Sequence, residues 1–178
     1  MPRHFLTTAD WSRLELEALL ADARALKASP LQKRLEGKSI ALVFYNPSLR
    51  TRTSFQVGAH QLGAVMDGDA EEHAKEAAQV LSRYVDMICI RAFPKFINWG
   101  EERQDPLLNA FATHATVPTI NMETIIHPCQ ELAMLMALQD AHGELAGKKF
   151  VLTWTYHPKP LNTAVANSAL LAATKMGM

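Results

Sequence analysis

Two patterns meet in the stretch Ser39-Ile-Ala-Leu-Val-Phe-Tyr-Asn-Pro-Ser-Leu-Arg-Thr-Arg-Thr-Ser-Phe55. Residues 39–45 are apolar and rich in strand-forming side chains. Asn46 and Pro47 then interrupt the run, as turn-forming residues do at the end of a strand. A helix is predicted next, over residues 51–62. The stretch therefore predicts a buried strand, a short loop and a helix in direct succession.

The same alternation of helices and short apolar strands continues along the chain. Helices are predicted over residues 10–26, 70–84, 105–114 and 128–140, and strands over residues 86–91 and 117–122. Ser12 followed by Glu15 is a capping-box pattern at the start of the first helix. This alternation is typical of an α/β fold in which helices flank a parallel sheet. In such sheets, ligands bind at the carboxyl ends of the strands.

A second unit is predicted after the turn-forming residues 143–147. A strand over residues 149–154 and a helix after Pro160 form the first βα unit of a second α/β domain. The chain is thus divided into a first domain, residues 1–143, and the start of a second domain, residues 144–178. A single βα unit cannot bury both of its faces, so this part either belongs to a larger domain or packs on other residues.

The composition excludes several classes of protein. The 18 Lys and Arg residues balance 18 Asp and Glu residues, so no summed positive charge attracts nucleic acid or an anionic membrane. With 48% hydrophobic and 20% charged residues, the chain is globular. Cys89 and Cys129 have no metal-type spacing, which favours a reducing compartment, and we expect a cytoplasmic protein. No apolar run approaches the length of a membrane span.

A candidate anion site lies between the first strand and its helix. A helix start presents free backbone amides and a partial positive charge, and Ser48, Arg50 and Thr51 add hydroxyls and a guanidinium there. On residue types alone, a second interpretation is open, in which Ser48 only caps the helix and the arginines are solvated. A Walker loop and a dinucleotide fingerprint are both missing, so the predicted phosphate belongs to a small metabolite.

A second constellation follows another predicted strand, at His127-Pro-Cys-Gln130. Pro128 suits a first helical turn, so His127 and Gln130 can face one crevice and hold a carbonyl and its amino group. Arg91 ends a further strand at the same sheet edge. Each has a simpler interpretation: His127 as a helix cap beside an ordinary Gln130, and Arg91 as a snorkelling side chain. Cys129 has no adjacent base and is interpreted as a packing residue.

Taken together and in this order, these motifs resemble the carbamoyltransferase family. Its first-domain signatures read PSxRTRxSF and HPxQ, and residues 47–55 and 127–130 match them. Two further stretches, residues 121–124 and 151–162, resemble the N-acetylornithine branch of that family. The resemblance covers essentially the whole chain.

The resemblance implies a role for each matched residue. Four residues would bind the phosphate of carbamoyl phosphate, largely through helix-start amides: Ser48, Leu49, Arg50 and Thr51. Three residues would hold its carbamoyl group: Arg91, His127 and Gln130. The catalytic set, which would stabilise charge on the carbonyl oxygen and orient the group, is Arg91, His127, Gln130 and Thr51. Glu123 matches a position near the amino-acid acceptor, and Glu71 matches a loop position that senses the acyl group.

The implied activity is carbamoyl transfer from carbamoyl phosphate to the side-chain amine of N-acetylornithine, in arginine biosynthesis. The resemblance also implies a homotrimer, with no metal and no organic cofactor. Succinylornithine or ornithine remains open as the acceptor, because most of the acceptor pocket lies in later second-domain motifs. A non-catalytic remnant that binds phosphate or oligomerises is the competing hypothesis. Compared with the family, we expect the chain to lack one strand and a loop after residue 63, where a tryptophan reaches a neighbouring subunit.

Overall fold

Four apolar stretches pair side by side to form the central sheet. A computed structural model describes residues 2–67, 73–158 and 161–178. The strands are β1 (Ser39–Phe44), β2 (Val65–Asp67), β3 (Met87–Arg91) and β4 (Thr119–Glu123). All pairings are parallel, in the order β2-β1-β3-β4. The predicted α/β class is confirmed.

Helices cover both faces of this sheet. In the described ranges they are α1 (Arg13–Ala28), α2 (Leu49–Gln61), α3 (Ala74–Leu81), α4 (Trp99–Glu102), α5 (Pro106–His114), α6 (Pro128–His142) and α7 (Ala164–Lys175), with a 3₁₀ turn at Thr8–Asp10. The predicted capping box of α1 is present, since Ser12 and Glu15 each accept a hydrogen bond from the other's backbone amide. None of these helices has the length and apolar composition needed to cross a bilayer.

The core is divided by the alternation of side chains along β1 and β3. Ile88 and Ile90 face one side, where they pack with buried residues of α3 and α5 such as Ala78 and Phe111. Leu42 and Cys89 face the other side. Strands buried on both faces read as continuous apolar runs, which is why the sequence revealed β1 and β3 so clearly.

Several predicted boundaries shift by a few residues. The helix predicted over 51–62 begins at Leu49, because the Ser48 hydroxyl accepts the Thr51 amide and so caps the helix start. The helix predicted over 70–84 is observed as α3, and its first predicted residues, 70–72, lie outside the described part. The strand predicted over 117–122 is displaced to Thr119–Glu123.

One strand was not predicted, and one predicted strand does not form. After residue 63, β2 follows Ala64 and pairs in parallel with β1, starting where the Val65 amide donates to the Lys38 carbonyl. That the chain lacks one strand and a loop of the family after residue 63 stays a prediction. The expected strand at 149–154 does not form. Side chains there, including Val151 and Trp154, are exposed, and an apolar segment becomes a strand only beside a backbone that completes its ladder.

Residues 144–178 return to the first part of the chain. Ala172 and Met176 of α7 are buried in one cluster with Leu20 of α1, Leu135 of α6 and Leu145. The Lys175 ammonium donates to the carbonyl oxygens of residues 9 and 11, at 2.8 and 2.9 Å. The unit after residue 143 therefore packs on other residues. A domain boundary at residue 143 stays a prediction.

A buried carboxyl group joins the N-terminal segment to α6. The Thr8 hydroxyl donates to Glu131 Oε1 at 2.5 Å, and Glu131 is only 1% exposed. Burial raises the pKa of Glu131 to about 7, against smaller opposing effects of the Thr8 hydrogen bond and the Lys175 charge. The folded protein therefore holds a proton there that the unfolded chain releases near pH 4.5.

We predict that the free energy of unfolding falls as pH rises from about 4.5 to about 7, because Glu131 stays protonated in the folded state over this range. The folded state binds more protons than the unfolded state over that window, so the free energy of unfolding falls, by on the order of 2 kcal/mol. Glu131→Gln keeps an acceptor for Thr8 and should remove this pH dependence. Urea unfolding across the window measures it, with Glu76→Gln on the surface of α3 as control. If the free energy of unfolding of Glu131→Gln depends on pH as that of the wild type does, Glu131 is not the group responsible.

Candidate active site

Most of the predicted site residues line one crevice at the carboxyl ends of the strands. The cavity has a volume of about 450 Å³ and is lined by α2, by the ends of β3 and β4, and by the start of α6. Its lining residues are Ser48, Arg50, Thr51, Ser54, Phe55, Arg91, Glu123, His127, Cys129, Gln130, Ala133 and Val165. Parallel strands bring their carboxyl ends to one sheet edge, which is why segments far apart in sequence meet here.

The start of α2 provides the hydroxyl side of the crevice. Ser48 Oγ accepts the Thr51 amide at 3.3 Å and donates to Thr51 Oγ1 at 3.0 Å. The amides of the first helical turn have no acceptor within the helix, so they and the helix dipole favour an anion. The Leu49 side chain does not join the lining and is 83% exposed, so only its backbone can serve a ligand.

Arg91 and Glu123 form a buried ion pair across the ends of β3 and β4. Arg91 Nη1 contacts Glu123 Oε2, and the two side chains are about nine-tenths buried. The pairing depends on a register shift: Ile90 lies opposite Asn121, but Arg91 lies opposite Glu123. The extra residue, Met122, is a bulge of the kind that redirects side chains near active sites. Arg91 Nη1 also donates to Thr51 Oγ1 at 3.3 Å, which connects the pair to α2.

Glu123 is the junction of the polar side chains. Its Oε1 accepts from Asn162 Nδ2 at 3.3 Å, and its Oε2 lies 3.6 Å from His127 Nε2. Burial raises the pKa of Glu123, and the Arg91 charge and hydrogen bond oppose this rise. The ion pair with Arg91 keeps the group ionised at neutral pH, because a protonated carboxyl would leave the buried guanidinium unpaired.

His127 is held as a neutral imidazole. Burial lowers its pKa to about 4, and the nearby positive charge of Arg91 adds to the effect. The 3.6 Å approach of Glu123 would favour the charged form, but that carboxylate is already neutralised by Arg91, so burial and repulsion prevail. A neutral imidazole offers one donor and one acceptor to a ligand.

Two nitrogen atoms of the site have no partner among the described residues. Arg91 Nε and His127 Nδ1 are both buried without a hydrogen bond. Nearly all buried polar atoms of native proteins are paired, so unpaired ones need an explanation. Ligand binding at this crevice would provide one.

Cys129 lines the crevice but is not a reactive thiol. Burial raises its pKa to about 12, so the thiolate is absent at neutral pH. Its thiol donates a weak hydrogen bond to the Asn121 carbonyl oxygen, with an Sγ–O distance of 3.8 Å. This agrees with the interpretation of Cys129 from the sequence.

Most of the predicted site residues come together, and some neighbours were missed. Glu71 lies outside the described residues. Sequence reasoning gave no role to Ser54, Phe55 or Val165, which line the crevice, or to Asn162, which contacts Glu123. Ser54 and Phe55 were inside the quoted motif, so their position beside Thr51 on α2 was an available signal. No sequence signal indicated Val165, because only the packing of α7 brings it to the crevice.

A parallel sheet with a hydroxyl-rich helix start, a buried arginine and a neutral histidine at its strand ends defines an α/β protein whose crevice has the groups of a candidate anion site. The chain belongs to the aspartate/ornithine carbamoyltransferase family, because residues 3–140 match the family's carbamoyl-P binding domain.

A relative with high sequence identity supports this family assignment. An N-acetylornithine carbamoyltransferase from Xanthomonas campestris pv. campestris is 59% identical over 198 residues, which cover 99% of this chain and 58% of the relative. The chain thus spans less than two thirds of that relative's length. The alignment has 198 positions, whereas this chain has 178 residues, so some residues of the relative have no counterpart in this chain.

Two solved structures have the same fold. Acetylornithine transcarbamylase complexed with acetylcitrulline superposes with a TM-score of 0.92 at 58% identity, covering 99% of this chain and 59% of that one. A variant of N-acetyl-L-ornithine transcarbamylase complexed with carbamyl phosphate and N-succinyl-L-norvaline gives the same TM-score at 57% identity, covering 99% and 60%.

We predict that the His127 imidazole stays neutral until the pH falls to about 4. Its burial beside Arg91 disfavours the imidazolium, so its ring resonances in an NMR titration should shift only near that pH, well below the usual 6.5. Comparison with His127→Gln assigns the resonance. Protonation near pH 6.5 would show that Glu123, not Arg91 and burial, controls the imidazole.

Proposed function

We propose that the protein transfers the carbamoyl group of carbamoyl phosphate to the side-chain amine of N-acetylornithine, giving N-acetylcitrulline and phosphate. The amine nitrogen bonds to the carbamoyl carbon, the bond from that carbon to the bridging oxygen breaks, and the amine loses a proton. The observation that carries the proposal is one crevice lined by Ser48, Arg50, Thr51, Arg91 and His127, in a chain 59% identical to an N-acetylornithine carbamoyltransferase.

The phosphate would bind at the start of α2. Ser48 and Thr51 supply hydroxyls, the backbone of Leu49 and Arg50 supplies amides, and Arg50 supplies a guanidinium. Among the lining residues that the structure describes, the only carboxylate is that of Glu123, which is already paired with Arg91. The crevice therefore favours a ligand with negative charge.

The carbamoyl group would lie between α2 and α6. Arg91, Thr51 and the neutral His127 would donate to the carbonyl oxygen, on which negative charge develops as the tetrahedral species forms, and Gln130 would hold the amino group. Donors placed before the reaction act strongly in a crevice that excludes water. Arg91 is positioned for this by Glu123 and Thr51, so little reorganisation is needed during the reaction.

The acceptor would approach from the side of Glu123 and Asn162. Within the described part of the chain, Glu123 Oε1 accepts one hydrogen bond, from Asn162, so it retains capacity for a polar group of the acceptor. We assign Glu123, and from the resemblance Glu71, to the acceptor site. One related structure is named as a complex with acetylcitrulline and another as a complex with N-succinyl-L-norvaline, which supports an acylated ornithine over free ornithine.

The remaining features of the proposal come from the same family. We propose a cytoplasmic homotrimer that acts in arginine biosynthesis, with active sites near subunit interfaces. A non-catalytic remnant has less support, since every residue assigned to carbamoyl phosphate is present and all but Leu49 line the crevice with their side chains.

We predict that Arg50→Ala weakens carbamoyl-phosphate binding by roughly tenfold to a hundredfold, because a charge-assisted hydrogen bond to the phosphate is lost. Isothermal titration calorimetry with carbamoyl phosphate measures the change. Arg83→Ala, which removes an exposed arginine near α3, is the matched control and should bind as the wild type does. Equal affinity of Arg50→Ala and wild type would remove the phosphate assignment.

We predict that the 178-residue chain alone has little or no activity, while a chimera that adds the remaining C-terminal part of the Xanthomonas relative carbamoylates N-acetylornithine. The reason is that an effective molarity of about 10⁵ M or more requires both substrates to be fixed together. The rate of citrulline-type product formation is measured for the short chain and for the chimera, with N-acetylornithine and with ornithine as the acceptor. Light scattering measures the oligomeric state, expected to be a trimer. Full activity of the short chain would contradict the first expectation, and a preference for ornithine would contradict the second.

A further inference from the structure

Three residues join the two site groups Glu123 and His127. This connection, residues 124–126, leaves the end of β4 and leads directly into α6. The orientation of His127 toward the crevice therefore depends on the path of this short segment. Because the segment lies beyond the last residue of β4, other groups must pair its backbone carbonyls.

Asparagine side chains supply that pairing, one for each carbonyl of the connection. Asn162 Nδ2 donates to the carbonyl of residue 124 at 2.9 Å, Asn167 Nδ2 to that of residue 125 at 2.8 Å, and Asn121 Nδ2 to that of residue 126 at 3.3 Å. The Thr124 amide also donates to the last of these carbonyls. Side-chain amides thus determine the path of the backbone.

Two residues of α7, Asn167 and Ser168, anchor this connection by hydrogen bonds, although α7 is remote in sequence. Asn167 lies in the first turn of α7, and its neighbour Ser168 accepts the His127 backbone amide at 2.7 Å. Ser168 is 1% exposed, so this bond is protected from water. Removing the hydroxyl would leave the amide of His127 without its acceptor.

We infer that Asn167 and Ser168 are positioning residues that hold His127 toward the carbamoyl group of the ligand. The inference rests on the proposed function. The start of α2 has its own hydrogen bonds, between Ser48 and Thr51, and receives none from Asn167 or Ser168 among the described residues. The two anchors therefore act on carbamoyl recognition and leave phosphate recognition unchanged.

The test uses two ligands that share the phosphate and differ in the carbamoyl group. Carbamoyl phosphate and inorganic phosphate are titrated into the 178-residue chain and followed by NMR. In Asn167→Ala and Ser168→Ala, affinity for carbamoyl phosphate should fall roughly tenfold, and affinity for inorganic phosphate should stay within about twofold of wild type. A residue that only stabilised the fold would not separate the two ligands.

Matched controls remove similar bonds far from the crevice. Asn109→Ala deletes a side-chain amide that donates to the carbonyl of residue 104, and Ser82→Ala deletes a hydroxyl that accepts the Thr116 amide at 3.0 Å. Both controls should bind both ligands as wild type does. If Ser168→Ala does not fold, Ser168→Cys replaces it, since the slightly larger thiol still fills the space of the hydroxyl but is a weak acceptor.

Three outcomes separate the hypotheses. A loss confined to carbamoyl phosphate supports the inference. Unchanged carbamoyl-phosphate affinity in folded variants, or equal losses for both ligands, overturns it while the proposed function stands. No carbamoyl-phosphate binding by wild type, despite binding of inorganic phosphate, would overturn the proposed function itself and the inference with it.

Discussion

The ion pair between Arg91 and Glu123 is the interaction on which the crevice depends. Both groups are buried where β3 and β4 end, and either charge alone at that depth would cost several kcal/mol. The pair forms because one bulge in β4 changes the register at its last residues. Thr51 then contacts Arg91, and Asn162 and His127 approach Glu123, so α2, α6 and the segment before α7 meet at this pair.

Burial of this pair sets the electrostatics of the site. The carboxylate neutralises Arg91 but leaves Arg50, the amides of the α2 helix start and a neutral His127 facing the crevice. Such a site attracts an anion without attracting a proton to the imidazole. In a low-dielectric crevice, these fixed dipoles and charges act on a ligand far more strongly than they would in water.

The groups behind the crevice are also polar, and they connect it to the rest of the chain. Glu131 accepts a hydrogen bond from the Thr8 hydroxyl one helical turn after His127. Asn167 of α7 donates to the carbonyl of residue 125, and Ser168 accepts the backbone amide of His127. The start of α6 is thus held from two sides by buried hydrogen bonds. Side chains of a site keep a narrow geometry only when the shell around them is itself locked.

The sequence by itself determined the local elements and the chemistry they carry. Apolar runs indicated β1 and β3, the capping box indicated α1, and the hydroxyl and arginine cluster after Pro47 indicated a candidate anion site, because each signal lies within a few residues. It could not reveal β2, whose three residues are too short for a pattern, or exclude a strand at 149–154, which lacked only a partner. The bulge that places Arg91 opposite Glu123, and the return of α7 that brings Asn167 and Ser168 to residues 125 and 127, were decided by tertiary structure. The physical reason is that register and packing arise from contacts between residues about 30 to 40 positions apart, which no local pattern encodes.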